Sequence, residues 1–158
     1  MEPRMNYYQH LPEGFAKLTE LAGIAKKSFA NNTLYHLVQI RASQINECAF
    51  CVDMHMKEAK IDGEKELRLH HVSVWKDSPL FSAKEKAALR WTEALTKLSH
   101  DNTSDALFSE MREHFSDKEI VNLNMVIAVI NTWNRFAVSF RSVPGSMDKL
   151  FGLEKAGL

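Results

Sequence analysis

The sequence predicts an all-α fold, and three observations predict it. Apolar residues recur at three- and four-residue spacing along most of the 158 residues. No stretch sustains the period-two alternation of a half-buried strand. Two Ser-x-x-Glu capping boxes, Ser82 with Glu85 and Ser116 with Glu119, each stand just before an apolar run. With hydrophobic residues at 45%, one domain with a genuine core is expected over residues 1–158.

Residues 1–11 show no period and are read as an irregular arm that packs on a neighbour. Pro12 suits a first helical turn, and Phe15, Leu18, Leu21, Ala22 and Ala25 follow on a helix reaching about Phe29. Asn31-Asn32-Thr33 supplies a turn and a cap, after which Leu34, Leu37, Val38, Ala42 and Ile45 form an apolar stripe. That stripe runs on in phase through Cys48, Cys51, Val52, His55 and Ala59, so periodicity leaves open whether the helix is continuous or breaks near Asn46-Glu47. After Asp62-Gly63 a helix is predicted over Glu64 to Trp75, with Leu67, His70, His71 and Val74 on one side, ended by Asp77-Ser78-Pro79. The first box opens a helix carrying Ala87, Ala88, Trp91, Ala94, Leu95 and Leu98. Ser104 to Phe115 gives a shorter one with Leu107, Phe108 and Met111 inward, and the second box opens a long apolar helix over Asp117 to Phe140. Val143-Pro144-Gly145 stops it, and the tail 144–158, with Leu150, Phe151, Leu153 and Leu158, is apolar enough to dock.

Composition removes several classes of function. Lys and Arg number 20 and so do Asp and Glu, which leaves no basic excess to neutralise a phosphate backbone, and no nucleic-acid partner is expected. The most apolar run, Met125 to Ile130, is far short of the roughly 20 residues of a bilayer span, so no membrane segment is expected. Two cysteines do not make a secreted scaffold, and Met1-Glu2-Pro3-Arg4-Met5 lacks the pattern of a leader; the expected location is the cytoplasm.

Chemistry concentrates in Cys48-Ala49-Phe50-Cys51-Val52-Asp53-Met54-His55, a C-x-x-C-x-x-x-H constellation holding the chain's two cysteines. Two thiols at this spacing can close a disulfide when their β-carbons come within about 4 Å. An imidazole one helical turn after the second can take its proton. A thiolate, not a thiol, attacks, so something must lower the thiol pKa from about 8.5, and a helix N-terminus or His55 can each do so. The plain alternative is a pair of small buried hydrophobes on an apolar stripe. A zinc site from Cys48, Cys51 and His55 with His70 or His71 is a second alternative. It lacks a second closely spaced ligand pair, and a domain with ample core needs no structural metal, so no metal and no organic cofactor are expected. His36, on the preceding helix, has two readings, a partly buried histidine with a satisfied hydrogen bond or a candidate site residue.

These residues resemble the alkylhydroperoxidase D-like (AhpD-like) proteins of the carboxymuconolactone decarboxylase superfamily. Residues 37–46 running into CAFCVDMH are similar to the family core, Ser78–Ser82 with residues 85–95 to its next segment, and Asn131-Thr132-Trp133-Asn134-Arg135 to a further signature. The likeness spans about residues 16–143. It implies an all-helical single-domain bundle in which the helix of His36 to Ile45 ends at a turn and the cysteines begin the next helix. It also implies roles: Cys51 as the peroxidatic thiolate, Cys48 as the resolving thiol and His55 as the proton partner of Cys51. Decarboxylase members lack the cysteine pair, so the likeness is to the thiol-redox branch. A homo-oligomer, trimer or hexamer, is implied as well.

Two positions depart from the family pattern. A glutamate commonly stands twelve residues before the first cysteine, where this chain has His36. Glu47 stands where relatives often have glycine, so Asn46 is expected to supply the left-handed turn. Glu47 also places a carboxylate near both sulfurs; either it replaces the missing glutamate in the relay or peroxidase activity is weak. The expected function is thiol-dependent reduction of organic hydroperoxides, with a thiol or dithiol reductant closing the cycle. The alternative is a redox-sensing or small-molecule binding module without turnover.

Overall fold

The second helix is the axis on which the other elements are laid. A computed structural model describes residues 2–29 and 32–157. It contains α1 (Pro12–Ser28), α2 (Asn32–Ile45), α3 (Ala49–Ile61), α4 (Glu66–His71), α5 (Ala83–Thr96), α6 (Asp105–His114), α7 (Asp117–Phe140) and α8 (Asp148–Phe151), with no strand among the described residues. Every residue from Leu34 to Ile40 is buried, because α2 meets α3, α5 and α7 on different sides. A helix covered on several sides buries most of its circumference, and here that includes the polar His36, Gln39 and Ser43. The expected cap at Asn31 lies outside the described residues.

Three apolar clusters surround this axis. One joins α2, α5, α6 and α7 through Val38, Trp91, Met111, Leu123 and Ile127, and a second sets Trp75, Leu37, Ile40 and Leu69 behind α3. The third packs Cys48, Cys51, Phe50 and Ala42 against Ile130 and Ala137 of α7. Each fully buried large side chain contributes about 1.5–3 kcal/mol, so the thiol pair sits within structure that does not need it as a staple. Among the described residues no helix is long and apolar enough to cross a membrane.

Both capping boxes form as expected. Ser82 accepts from the Glu85 N–H and its own N–H donates to Glu85; Ser116 and Glu119 do the same at the start of α7. The expected helix over Glu64 to Trp75 is instead α4 followed by a 3-10 turn at Val72–Val74. Tightening to three residues per turn aligns Leu69, Val72 and Trp75 inward, and leaves Leu67 and Val74 exposed where they were expected to pack. Phe108 is likewise exposed while Met111 is fully buried, and Leu98 lies beyond the end of α5.

The N-terminal arm packs on its own chain. A 3-10 turn at Tyr7–Gln9 buries Tyr7 against Phe15 and Phe140, with ring centroids 5.0 and 5.2 Å away, and Arg4 donates to the Phe140 and Ser139 carbonyls. The tail docks through Leu153 and Ala156, whereas Leu150 and Phe151 stay exposed; Leu158 lies outside the described residues. The tail is fastened by the largely buried Lys57, which donates to Asp53 at 2.9 Å and Asp148 at 2.7 Å, while the Gly145 N–H donates to Asp53. Burial pushes the Lys57 ammonium down, but the Asp148 and Asp53 carboxylates outweigh it and hold its pKa above the ordinary value.

Candidate redox site

The chain breaks between α2 and α3, which answers the question periodicity left open. The break is a Schellman turn: the Cys48 N–H donates to the Ser43 carbonyl at 2.9 Å and the Glu47 N–H to the Gln44 carbonyl at 3.2 Å. Glu47, not Asn46, adopts the left-handed conformation, with φ 55°. Asn46 is committed elsewhere. Its side-chain NH2 donates to Asn131 at 2.9 Å and to Asn134 at 2.8 Å, and Asn134 in turn donates to the Ser43 hydroxyl. Arg135 grips the Asn131 carbonyl and side-chain oxygen, so the polar residues of the Asn131–Arg135 stretch brace the turn from α7.

The turn delivers Cys48 to the N-cap of α3 and Cys51 to its first turn. The Cys51 N–H points at the Cys48 sulfur at 3.3 Å. An N-cap sulfur receives the partial positive charge of the helix end, which favours the thiolate when the pair is reduced. Here the two sulfurs are joined as a disulfide, with the α-carbons 5.4 Å apart, within the span a bridge requires. Both cysteines are almost fully buried.

On the Cys51 side of α3 lies a cavity of about 310 Å³. Tyr7 and Tyr8 from the arm, Phe50, Met54 and Trp133 give it apolar walls, while Cys51, His55, Glu58, Gln39 and Tyr35 supply its polar part. His55 Nδ1 lies 2.7 Å from the Glu58 carboxylate, one turn further along the same helix. Burial pushes the Glu58 carboxyl up, but the hydrogen bond and charge of His55, with smaller help from His36 and Lys26, outweigh it and leave it below the ordinary carboxylate value. An ionised Glu58 accepts, so Nδ1 carries the hydrogen, and in the uncharged form of the ring the lone pair is on Nε2, facing away from Glu58. Burial, then the Glu58 charge, pushes Tyr35 up to about 12 against a hydrogen bond from Gln39, so at neutral pH it keeps its O–H.

The five residues singled out in the sequence divide into three places. Cys51 and His55 share the cavity, with Cys48 bonded to Cys51 behind it. His36 is fully buried at the back of α3, its Nε2 2.8 Å from Asp62, and does not line the cavity. Burial lowers its pKa more than Asp62 and Glu58 raise it. Glu47 is exposed, lies on the far side of the helix and bonds to neither His55 nor either sulfur. The carboxylate that meets His55 is Glu58, which sequence reasoning missed. Its signal was present as the i+3 spacing from His55, which puts the two side chains on one helical face. Among the described residues no three His, Cys, Asp or Glu side chains gather as a metal-ligand set; His70 is exposed and His71 bonds Ser78.

Comparison with known proteins places the chain in a family. Residues 12–94 match the carboxymuconolactone decarboxylase family. The chain belongs to that family. It is 37% identical over 139 residues to the uncharacterized protein YdfG of Bacillus subtilis (strain 168), covering 88% of this chain and 95% of that one. A protein of unknown function from Agrobacterium tumefaciens, a candidate antioxidant defence protein AhpD, superposes with a TM-score of 0.87 at 43% identity over 90% of this chain and 98% of its own. The debrominase Bmp8 shares the fold, with a TM-score of 0.75 at 17% identity over 95% of this chain and 78% of its own. The all-helical architecture with a C-x-x-C pair at a helix start is thus the AhpD-like form of the family fold.

Proposed function

We propose that this protein is a thiol-dependent peroxidase acting on organic hydroperoxides through Cys48 and Cys51. The observation that carries the reading is the meeting of Cys51, His55 and Glu58 in one apolar-walled cavity. In the reduced protein His55 Nε2 takes the Cys51 proton, and Glu58 stabilises the resulting imidazolium. The Cys51 thiolate attacks the terminal peroxide oxygen; the O–O bond breaks, Cys51 becomes a sulfenic acid, and the departing alkoxide takes the proton from His55 and leaves as an alcohol. Cys48 then gives up its thiol proton and attacks the Cys51 sulfur, closing the disulfide, while the departing hydroxide takes that proton and leaves as water. Two electrons pass from the thiols to the peroxide, and a thiol reductant restores them. Glu58 here takes the place suggested for Glu47, and His36 supports α3 from behind through Asp62.

The test is stopped-flow consumption of cumene hydroperoxide by the reduced protein beside Cys51→Ser and His55→Ala. Wild type should consume one equivalent per disulfide formed and His55→Ala should be slower; wild type no faster than Cys51→Ser removes the reading. The near-complete burial of both cysteines supports a second reading, a redox sensor that is oxidised once without turnover. Sustained cycling with added dithiol separates the two, because a sensor stops after one equivalent.

A further inference from the structure

The two sulfur residues open to different sides of α3. Cys51 lines the aromatic cavity with Phe50, Met54, His55 and Glu58, while Cys48 lines a separate open groove with Glu47, Ala49, Val52, Asp53 and Pro144. The two share no residue. At about 100° per residue, positions 50, 51, 54, 55 and 58 fall on one side of the helix and 49, 52 and 53 on the other. Two acids border the groove. Asp53 is occupied by Lys57 and the Gly145 N–H, whereas the exposed Glu47 carboxylate makes no ion pair or hydrogen bond among the described residues. Its carboxylate is therefore the groove's uncompensated charge, directly preceding Cys48.

We propose that the pair is served from opposite sides of α3: oxidant reaches Cys51 through the aromatic cavity, and a slender thiol reductant of neutral or positive charge reaches Cys48 through the groove, where Glu47 turns anionic thiols away. This rests on the thiol-redox reading and assigns its second half. Thiol–disulfide exchange needs the attacking sulfur, the attacked sulfur and the leaving sulfur nearly in line, and entry from the groove puts Cys51 on the departing side. The reductant thiolate bonds to the Cys48 sulfur, the Cys48–Cys51 bond breaks, and Cys51 leaves as a thiolate beside His55. A second reductant thiolate then attacks the reductant sulfur of the mixed disulfide. Cys48 departs as a thiolate on the N-cap, the protein regains two electrons, and the reductant leaves as its disulfide. With Cys48 only 2% exposed, the groove suits an unbranched thiol arm.

The experiment follows the two half-reactions separately. Oxidised protein is mixed with cysteamine, 2-mercaptoethanol or 3-mercaptopropionate, and the rates are corrected to thiolate concentration. Cysteamine should be fastest and mercaptopropionate slowest, by about threefold per unit of charge, the scale of one solvent-screened charge a few ångströms away. The order should flatten in Glu47→Gln and in high salt. Ala49→Trp, which fills the groove, should lower the ratio of reduction rate to oxidation rate by about tenfold through lost access. Gly23→Leu, whose side chain grows where a Cβ meets nothing within 4 Å at the cavity edge, should move that ratio the opposite way. Both obstructions slowing the same half-reaction, or a charge order that survives Glu47→Gln, overturns the proposal. Failure of hydroperoxide to oxidise the wild type removes the peroxidase reading alone, because the reduction arm starts from the disulfide already formed.

Discussion

Two glutamates flank the thiol helix and do opposite things. Glu58 is partly buried on the cavity side, bonded to His55 and held ionised by it; Glu47 stands in solvent on the groove side without a partner. Nothing in their chemistry distinguishes them, since each is the same carboxylate within two turns of a sulfur. Placement on the helix does. A carboxylate that faces an imidazole fixes a tautomer and tunes a proton transfer, and one that faces water contributes only a screened field.

The contrast can be broken most forcefully at Lys57, where a third acid, Asp53, shows what a buried pairing is worth on the groove side. Lys57→Met leaves Asp53 and Asp148 facing each other and frees the tail. The expected loss is about 2–3 kcal/mol, at or below the usual range for breaking a buried pair because both acids are partly solvated. Urea unfolding reads it, and a loss under about 0.5 kcal/mol, the size of an ordinary surface change, would show that the clamp is idle.

On the cavity side, Glu58→Gln should slow reaction of reduced protein with hydroperoxide by about tenfold to a hundredfold, the lower range for a disturbed general base. Unchanged kinetics would place Glu58 outside the relay. The same variant tests linkage. A carboxyl whose folded pKa lies below its unfolded value, about 4.3, contributes stability that is complete above that pH and lost as pH falls through the folded value. The stability difference between wild type and Glu58→Gln should therefore be constant near neutrality and shrink below about pH 4. A difference that grew on acidification would reverse the assignment.

The smallest effect belongs to Glu47. Glu47→Gly removes the cost of a left-handed side-chain-bearing residue and should raise stability by about 0.5–1 kcal/mol. Loss of stability on that change would mean the carboxylate has a structural partner.

What could be read in the sequence, and what could not, follows the same local logic. The starts of α5 and α7 were legible to the residue because Ser82-x-x-Glu85 and Ser116-x-x-Glu119 mark them chemically. The end of α2 was not, because its left-handed position holds Glu47 instead of the glycine that signals such a stop. α7 ends the same way at Arg141, with φ 55°, three residues before the Pro144-Gly145 stop signal. Leu67 and Val74 were misplaced because a six-residue helix passing into a 3-10 turn has no steady period to read. Within the site, Cys48, Cys51 and His55 were visible as a motif. Glu58 was hidden by its ordinariness, as one more acid on a charged helix, until the burial of His55 gave it a neighbour.

Of the three indoles, Trp75 and Trp91 lie in the first two apolar clusters, and Trp133 alone packs with Cys48 and Cys51 while also walling the cavity. A disulfide quenches a neighbouring indole and a pair of thiols does so differently. The emission of Trp133 thus serves as a built-in optical gauge, able to follow opening and closing of the bridge in real time without a label.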